Sequence, residues 1–257
     1  AGERIGSCCS PRQVAQARRL TERLGIPHYV FDLEEIFREG VIDPTGEALV
    51  RWETPNPCVL CNERVKMGAL LATAARLGAT RYATGHYARL APPASAAPMG
   101  APPRLSRAKD PVRDQSYFLY RVAPEIRRRI LFPLGELSKE DVRGEARAMN
   151  LPMAEEEDST GVCFAPRRGR TGSADFRRAI GDKYPAAFES GPILYEDRNG
   201  TREIGRHAGI ATLTRGKRRG LGIRDHASAA GGRPLYVARI DAVRRAAVLA
   251  AREVVVD

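Results

Sequence analysis

The sequence predicts an α/β fold, and three observations carry that expectation. A helical segment followed by a short β-rich run occurs twice within the first ninety residues. Each of the two helical segments stops at a glycine, Gly25 and Gly78. Helix and strand in alternation argue for a parallel sheet covered by helices. The third observation is a change of texture after Cys163, to glycine, arginine and short β-like runs, which puts a domain boundary near residue 165.

The elements follow in order. Ser10 and Pro11 before RQVAQARRLTERLG read as N-cap and first helical residue, with Gly25 just past the end. IPHYVFDL, residues 26–33, reads as a strand. NERVKMGALLATAARLG reads as a second helix beginning after Cys61, with Val65, Leu70, Ala74 and Leu77 on one face. TRYATGHYARL reads as the next strand, and ligand crevices of parallel sheets lie at the carboxyl ends of strands, where Thr84-Gly85-His86-Tyr87 falls. APPASAAPMGAPP, residues 91–103, has neither periodicity nor charge and reads as a surface excursion. Regular structure resumes at DQSYFLYRV and at a helix with Ser138 as N-cap and Glu140 and Asp141 in its first turn. GPILYED and PLYVARID read as strands of the back region.

At 257 residues and 43% hydrophobic content the chain is expected to form two domains with a remnant of a third. No run of eighteen apolar residues and no leader pattern is seen, so a cytoplasmic protein without membrane attachment is expected. The sequence starts with Ala in mid-pattern, which suggests that residues precede it. The net charge of +11 is uneven: residues 1–164 carry 23 Lys and Arg against 21 Asp and Glu, and residues 165–257 carry 19 against 10. Arg167-Arg168-Gly169-Arg170 and Lys217-Arg218-Arg219 fit a polyanion binder such as RNA, or equally a solvated basic face.

Five cysteines argue against a disulfide scaffold. Cys61 lies where a following helix and the nearby Arg64 and Lys66 lower a thiol pKa, which is how a nucleophile is built; the alternative is a buried structural cysteine. Cys163, in the polar stretch EEEDSTGVCF, suits a persulfide and disulfide relay with Cys61. Zinc or an iron–sulfur cluster on Cys58, Cys61 and Cys163 stays open, although a lone C-x-x-C lacks the second pair of a zinc ribbon, and no metal site is assigned. Cys8 and Cys9 read as strand-end packing, and His86 reads as a hydrogen-bonded histidine more readily than as a base. The glycines of GIATLTRGKRRG are spaced wrongly for a Walker A loop, and no G-x-G-x-x-G follows a strand.

Taken together, TPNPCVLCNERVKMGALL, ATGHYARL, RDQSYFLYRV, FPLGELSKEDVR, EDSTGVCF and GRHAGIATLTRGKRRGLGI occur in the order found in bacterial tRNA-specific 2-thiouridylases, and the sequence resembles that family from about Gly6 onward. The resemblance implies an α/β fold with a parallel-sheet, PP-loop ATP pyrophosphatase-type domain, a small central domain and a C-terminal β-barrel. On this sequence it implies 1–164 as the catalytic domain, 165–240 as the central tRNA-binding domain and 241–257 as the start of the barrel. It implies ATP-dependent 2-thiolation of the tRNA wobble uridine, ATP with Mg2+ as cofactor, and tRNA and a sulfur-relay donor protein as partners. ATP adenylates the C2 oxygen, Cys163 carries the persulfide, and Cys61 is the nucleophile that closes a disulfide with it. Asn56, Pro57 and Cys58 match the stretch against the target base, Gly85 an ATP contact, His86 a tRNA-facing neighbour, and Arg113, Asp114 and Gln115 a segment touching the anticodon loop.

The family's S-G-G-x-D-S phosphate loop falls before residue 1, and most of its barrel falls after the last residue, so the sequence as given is expected to bind ATP weakly or not at all. Thr160 replaces the usual Gln, and TLTRGKRRGLG departs from the usual pattern. Two rival readings remain, a metal-binding protein using the three cysteines and a tRNA-binding remnant without catalysis.

Overall fold

The computed structural model describes residues 11–151, 154–155, 163–164, 180–197, 200–221, 223 and 233–251. The expectations for Cys8, Cys9, the Ser10 cap, Thr160 and Arg167 to Arg170 lie outside them. The chain divides into two compact units, one of Pro11–Val41 and Pro57–Thr160, the other of Ala1–Ser10, Ile42–Asn56 and Gly161–Asp257. Among the described residues no helix is long and apolar enough to cross a membrane.

In the first unit the Pro11–Leu24 helix forms as its sequence predicts, and Gly25 ends it at φ 66°, where a side chain would be strained. Residues 26–33 correct the reading of the sequence: they form no regular element, and Tyr29 and Val30 are mostly exposed. β-rich composition makes a strand only where a neighbouring edge supplies ladder hydrogen bonds, and among the described residues none pairs with this run.

The second helix corrects the reading again. It begins at Pro57 rather than after Cys61, because proline's fixed φ suits the first helical position. It runs as an α-helical turn Pro57–Leu60, a π-helical stretch Cys61–Leu70 and an α-helical end Leu71–Arg76. The wider π turn moves the buried side from the expected one. Asn62, Val65, Met67 and Leu71 are buried, while Leu77, expected on the inner face, is 55% exposed. Met67 and Leu71 pack with Ala88, Leu119, Val122 and Ile130 as the core of this unit.

The expected strand at residues 80–90 is two short pieces. Strand β1, Tyr82–Ala83, pairs in parallel with β4, Ile130–Leu131. Strand β2, Arg89–Ala91, pairs antiparallel with β3, Arg104–Ser106, so the Pro/Ala-rich stretch is the connection of a hairpin. The parallel pairing thus extends over two residues in this unit. The Lys139–Ala148 helix carries the predicted Ser138 cap, completed as a capping box by Asp141.

The second unit is built on a four-stranded sheet in the order β6-β5-β8-β7: β5 Gly191–Asp197, β6 Gly200–His207, β7 Leu235–Asp241 and β8 Ala246–Ala251. Strands β5 and β8 are parallel and the outer pairs antiparallel. Ile193, Tyr195, Leu235, Val237, Ala247 and Leu249 form its core with Ile180, Phe188 and Ile210. The Asp43–Val50 helix adds Leu49 to that core. Its Gly46 lies under the Tyr184 ring, where a Cβ would come within 2.2 Å. Two further close approaches fix the sheet end. A Cβ on Gly191 would lie 2.2 Å from the Arg245 carbonyl oxygen, and one on Gly209, at φ 109°, 2.4 Å from Phe188 Cα.

His207 closes that end. Its Nδ1 accepts from the Gly209 N–H at 3.0 Å, so Nε2 carries the proton and donates to the Arg245 carbonyl at 3.1 Å. Burial, with Arg206 nearby, holds this histidine below its ordinary pKa against the opposing effect of the Arg245 hydrogen bond.

Candidate functional site

The cysteine helix, residues 57–76, supplies the first group of the expected site residues. Pro57 is buried as its first residue, and Cys58 follows half-buried in the first turn. Burial pushes the Cys58 thiol up, and the Lys66 ammonium pulls it part of the way back. Cys61 is half-buried at the first residue of the π stretch. It is therefore one turn inside the helix, not ahead of it, and the free N–H groups of the helix start lie beside Cys58 instead. Arg64, expected near the Cys61 thiol, donates from Nη1 to the Gly40 carbonyl at 3.2 Å. Cys58, Cys61 and Cys163 are all present as thiols.

The second group stands at the carboxyl end of β1, where the sequence places it. The Thr84 N–H continues the ladder to the Leu131 carbonyl, and the chain then turns through Gly85 and His86. Gly85 is exposed, and a Cβ there would meet only Leu134 Cδ1 at 3.8 Å, so its backbone is approachable. His86 Nδ1 lies 2.7 Å from the Thr84 hydroxyl, with the ring edge-on to Phe132. Burial first and the Lys66 charge second lower its pKa to about 4, so at neutral pH it is an uncharged hydrogen-bonding group. Burial and then the charge of Cys61 push the Tyr82 phenol up, which puts the Cys61 thiol within electrostatic reach of the strand that leads into this turn.

Arg113, Asp114 and Gln115 form the third group, and here the hydrogen bonds are informative. Asp114 Oδ1 accepts from the N–H groups of Ala108 and Ser116, and Oδ2 accepts from the Ser116 hydroxyl. Burial works against this carboxylate, yet those donors and the Arg107 charge hold it below its ordinary range. Gln115 is tied to Tyr87 twice, its Oε1 accepting from the Tyr87 N–H at 3.1 Å and its own N–H donating to the Tyr87 carbonyl at 2.8 Å. Asp114 and Gln115 thus brace the loop and join it to the His86 turn. Arg113 is half-buried in a turn whose N–H groups are held by Asp110. Asn62, 3% exposed beside Cys61, donates from Nδ2 to the Phe118 carbonyl and ties the cysteine helix to the same loop.

One compact unit therefore gathers Pro57, Cys58, Cys61, Gly85, His86, Arg113, Asp114 and Gln115. Asn56 is exposed and is counted, like Cys163, with the other unit. Cys163 is half-buried in a turn with the buried Phe164. Lys66 acts on both Cys58 and His86, a role the sequence signals only by its spacing on the helix. Among the basic residues of the back region, Lys217 turns inward and donates to the Thr212 carbonyl, while Arg218 and Arg219 remain exposed. Among the described residues no three His, Cys, Asp or Glu side chains converge as ligands of a cation would.

Comparison with known proteins adds the following. A family model described as the tRNA methyl transferase HUP domain matches residues 1–167, and one described as the tRNA methyl transferase PRC-barrel domain matches residues 183–251. A protein named tRNA-specific 2-thiouridylase MnmA from Methylobacterium sp. (strain 4-46) is 46% identical over 253 residues, 98% of this chain and 61% of that protein. Proteins of the same name from Bradyrhizobium sp. (strain ORS 278) and Agrobacterium fabrum are each 44% identical, over 98% and 97% of this chain and 59% of their own length. The chain thus spans about three fifths of the length of these curated relatives.

Proposed function

We propose, from the premise that the chain belongs to the tRNA methyl transferase HUP-domain family, whose relatives above are tRNA-specific 2-thiouridylases, that it carries the sulfur-transfer site of a tRNA 2-thiouridylase. The substrate is the wobble uridine of a tRNA, ATP is the activating substrate, and a partner protein delivers sulfur to Cys163 as a persulfide. The uridine C2 oxygen attacks the α-phosphorus of ATP and expels pyrophosphate. The terminal persulfide sulfur then bonds to C2 as AMP leaves. Cys61 attacks the Cys163 sulfur, the sulfur–sulfur bond to the base breaks, 2-thiouridine departs, and a Cys61–Cys163 disulfide remains for an external dithiol to reduce. An anticodon base is accessible to such chemistry because it lies in a single-stranded loop and can be splayed into a pocket.

The observation that supports this reading best is that one compact unit holds Cys58 and Cys61 together with Gly85 and His86, which follow the short strand Tyr82–Ala83. The proposed meeting point of nucleotide and base is the turn after that strand. Gly85 suits a close backbone contact with ATP, since the space on its Cα is open. Neutral His86 offers a hydrogen bond to the base without competing for protons at neutral pH. Cys58 lies at the first helical turn, against the target base together with Asn56 and Pro57. No step is assigned through Mg2+, because the described residues bring no cation-ligand set together. Residues 165–240 hold RNA phosphates through exposed arginines such as Arg218 and Arg219, a sequence-independent and salt-sensitive contact. The thiols of the site favour sulfur transfer over the methyl transfer named in the family model's description.

The test is mass spectrometry of uridine in tRNA incubated with ATP and a persulfide donor. The chain is compared with a form carrying the S-G-G-x-D-S loop upstream. 2-Thiouridine made only with Cys61 and Cys163 intact supports the reading. Salt-sensitive tRNA binding without product in either form replaces it with a binding protein that lacks catalysis.

A further inference from the structure

The segment expected to touch the anticodon loop spends Asp114 and Gln115 on its own architecture, which raises the question of what that architecture presents. The bracket of Asp114, with its three hydrogen bonds, and Gln115, with its two to Tyr87, is followed at once by the single 3-10 turn Ser116–Phe118. The turn is held from its far end by Asn62, whose amide grips the Phe118 carbonyl from the cysteine helix. Tyr117 stands at the centre of this braced turn and is 58% exposed.

An exposed aromatic ring on a rigid turn is not explained by packing. Its neighbour Phe118 is half-buried and supports the Tyr117 ring with a centroid distance of 3.9 Å. Tyr120, one turn further, is 64% exposed as well. Arginines flank the aromatics on both sides, Arg113 before them and Arg121 after, the latter paired with Glu63 of the cysteine helix at 2.9 Å. Aromatic rings interleaved with arginines form the usual surface for single-stranded nucleic acid, because every base has a face to stack and the backbone has charge to neutralise.

We propose that Tyr117 is a stacking platform for a base of a single-stranded RNA loop, presented by the Asp114–Gln115 bracket on a turn that Asn62 ties to the cysteine helix. This rests on the RNA-modifying reading above and extends it to a residue that the expected tRNA-contact segment leaves out. The charges of Cys58 and of Asp114, after burial, push the Tyr117 phenol up, so the ring lies within electrostatic reach of the thiol at the helix start. A base stacked there is held at the entrance to the cysteine site, and the bracket keeps the ring in place without ordering cost at the moment of binding.

The test uses the full chain and a hairpin RNA with a seven-nucleotide loop carrying 5-iodouridine on the nucleotide next to the first anticodon position, beside a duplex of equal charge. Tyr117→Ala is expected to weaken loop RNA about tenfold, the scale of one stacked base, and to leave duplex binding unchanged. Tyr117→Phe and Tyr117→Trp are expected to bind within about twofold of the parent, since a ring is all that stacking needs. The photo-cross-link is expected on Tyr117, a readout that stands even if Tyr117→Ala folds poorly. Parent-like loop binding by Tyr117→Ala, equal damage by Tyr117→Phe, or a cross-link elsewhere overturns the proposal. Failure of the parent chain to bind either RNA overturns the RNA-modifying reading itself, and the stacking role with it.

Discussion

The two compact units use their residues in opposite ways. The sheet unit has strands of six to eight residues, a core drawn from nearly all of them, and glycines pressed against backbone at distances no Cβ tolerates. The cysteine unit has strands of two or three residues, a helix with a ten-residue π-helical stretch, and loops held by side chains rather than ladders. Long ladders make a rigid body that leaves little polar chemistry exposed. Short strands and a widened helix, a feature that often marks functional sites, leave thiols, a histidine and an exposed tyrosine near one turn. On the proposed function, the contrast teaches that reactive groups are kept where regular structure is least complete.

The largest expected effect separates the units through chemistry. In the form carrying the S-G-G-x-D-S loop upstream, and on the proposed reading, Cys61→Ser should lower 2-thiouridine formation by about 10^3-fold or more, equivalent to about 4 kcal/mol of activation free energy. Its melting temperature should stay near that of the parent, because the thiol is only half-buried. Calorimetry beside the thiolation assay checks both halves. Next comes a change that acts on stability alone. Gly209→Ala in the sheet unit puts a Cβ against Phe188 Cα at a positive φ, and should cost about 3 kcal/mol in a denaturant titration.

A pH titration sharpens the comparison at intermediate size. His86 is held near 4 by burial and Lys66, against an ordinary value near 6.5, so the unfolded chain binds the proton more readily. The stability due to neutral His86 is present above about pH 6.5 and is lost as pH falls toward 4, with a slope of at most about 1.4 kcal/mol per pH unit. His207 is also depressed and adds a slope of the same sign in the sheet unit. His86→Asn should flatten the dependence, and an unchanged slope would show that other groups carry it. The smallest effect is Ser138→Ala, which removes one side of the capping box and should cost about 1 kcal/mol in the same denaturant titration.

How much of this was legible in the sequence depends on whether the signal was local. The Pro11–Leu24 helix, the Ser138 cap and strands β5 and β7 follow from caps and alternation, and all are found. Strand β8 was missed because AAVLAA, buried along nearly its whole length between two neighbours, shows no alternation. Residues 26–33 misled in the opposite sense, since their composition is that of a strand while among the described residues no edge pairs with them. The placement of Gly85 and His86 at a strand end was readable from the order of elements. The bracing role of Asp114 and Gln115 was not, because it depends on Tyr87 and Ala108 reaching them through the hairpin fold. The π-helical register also has no sequence signature here, and the earlier start of the helix at Pro57 moved Cys61 from the helix entrance into its second turn.

The most direct test of the Cys61–Cys163 relay is peptide mapping without reductant, on the form carrying the S-G-G-x-D-S loop upstream, after a single round of reaction with ATP, tRNA and a persulfide donor. A peptide linked between Cys61 and Cys163, formed in a one-to-one ratio with 2-thiouridine, is expected. A Cys58–Cys61 bridge in its place, or 2-thiouridine formed while both thiols stay reduced, would contradict it.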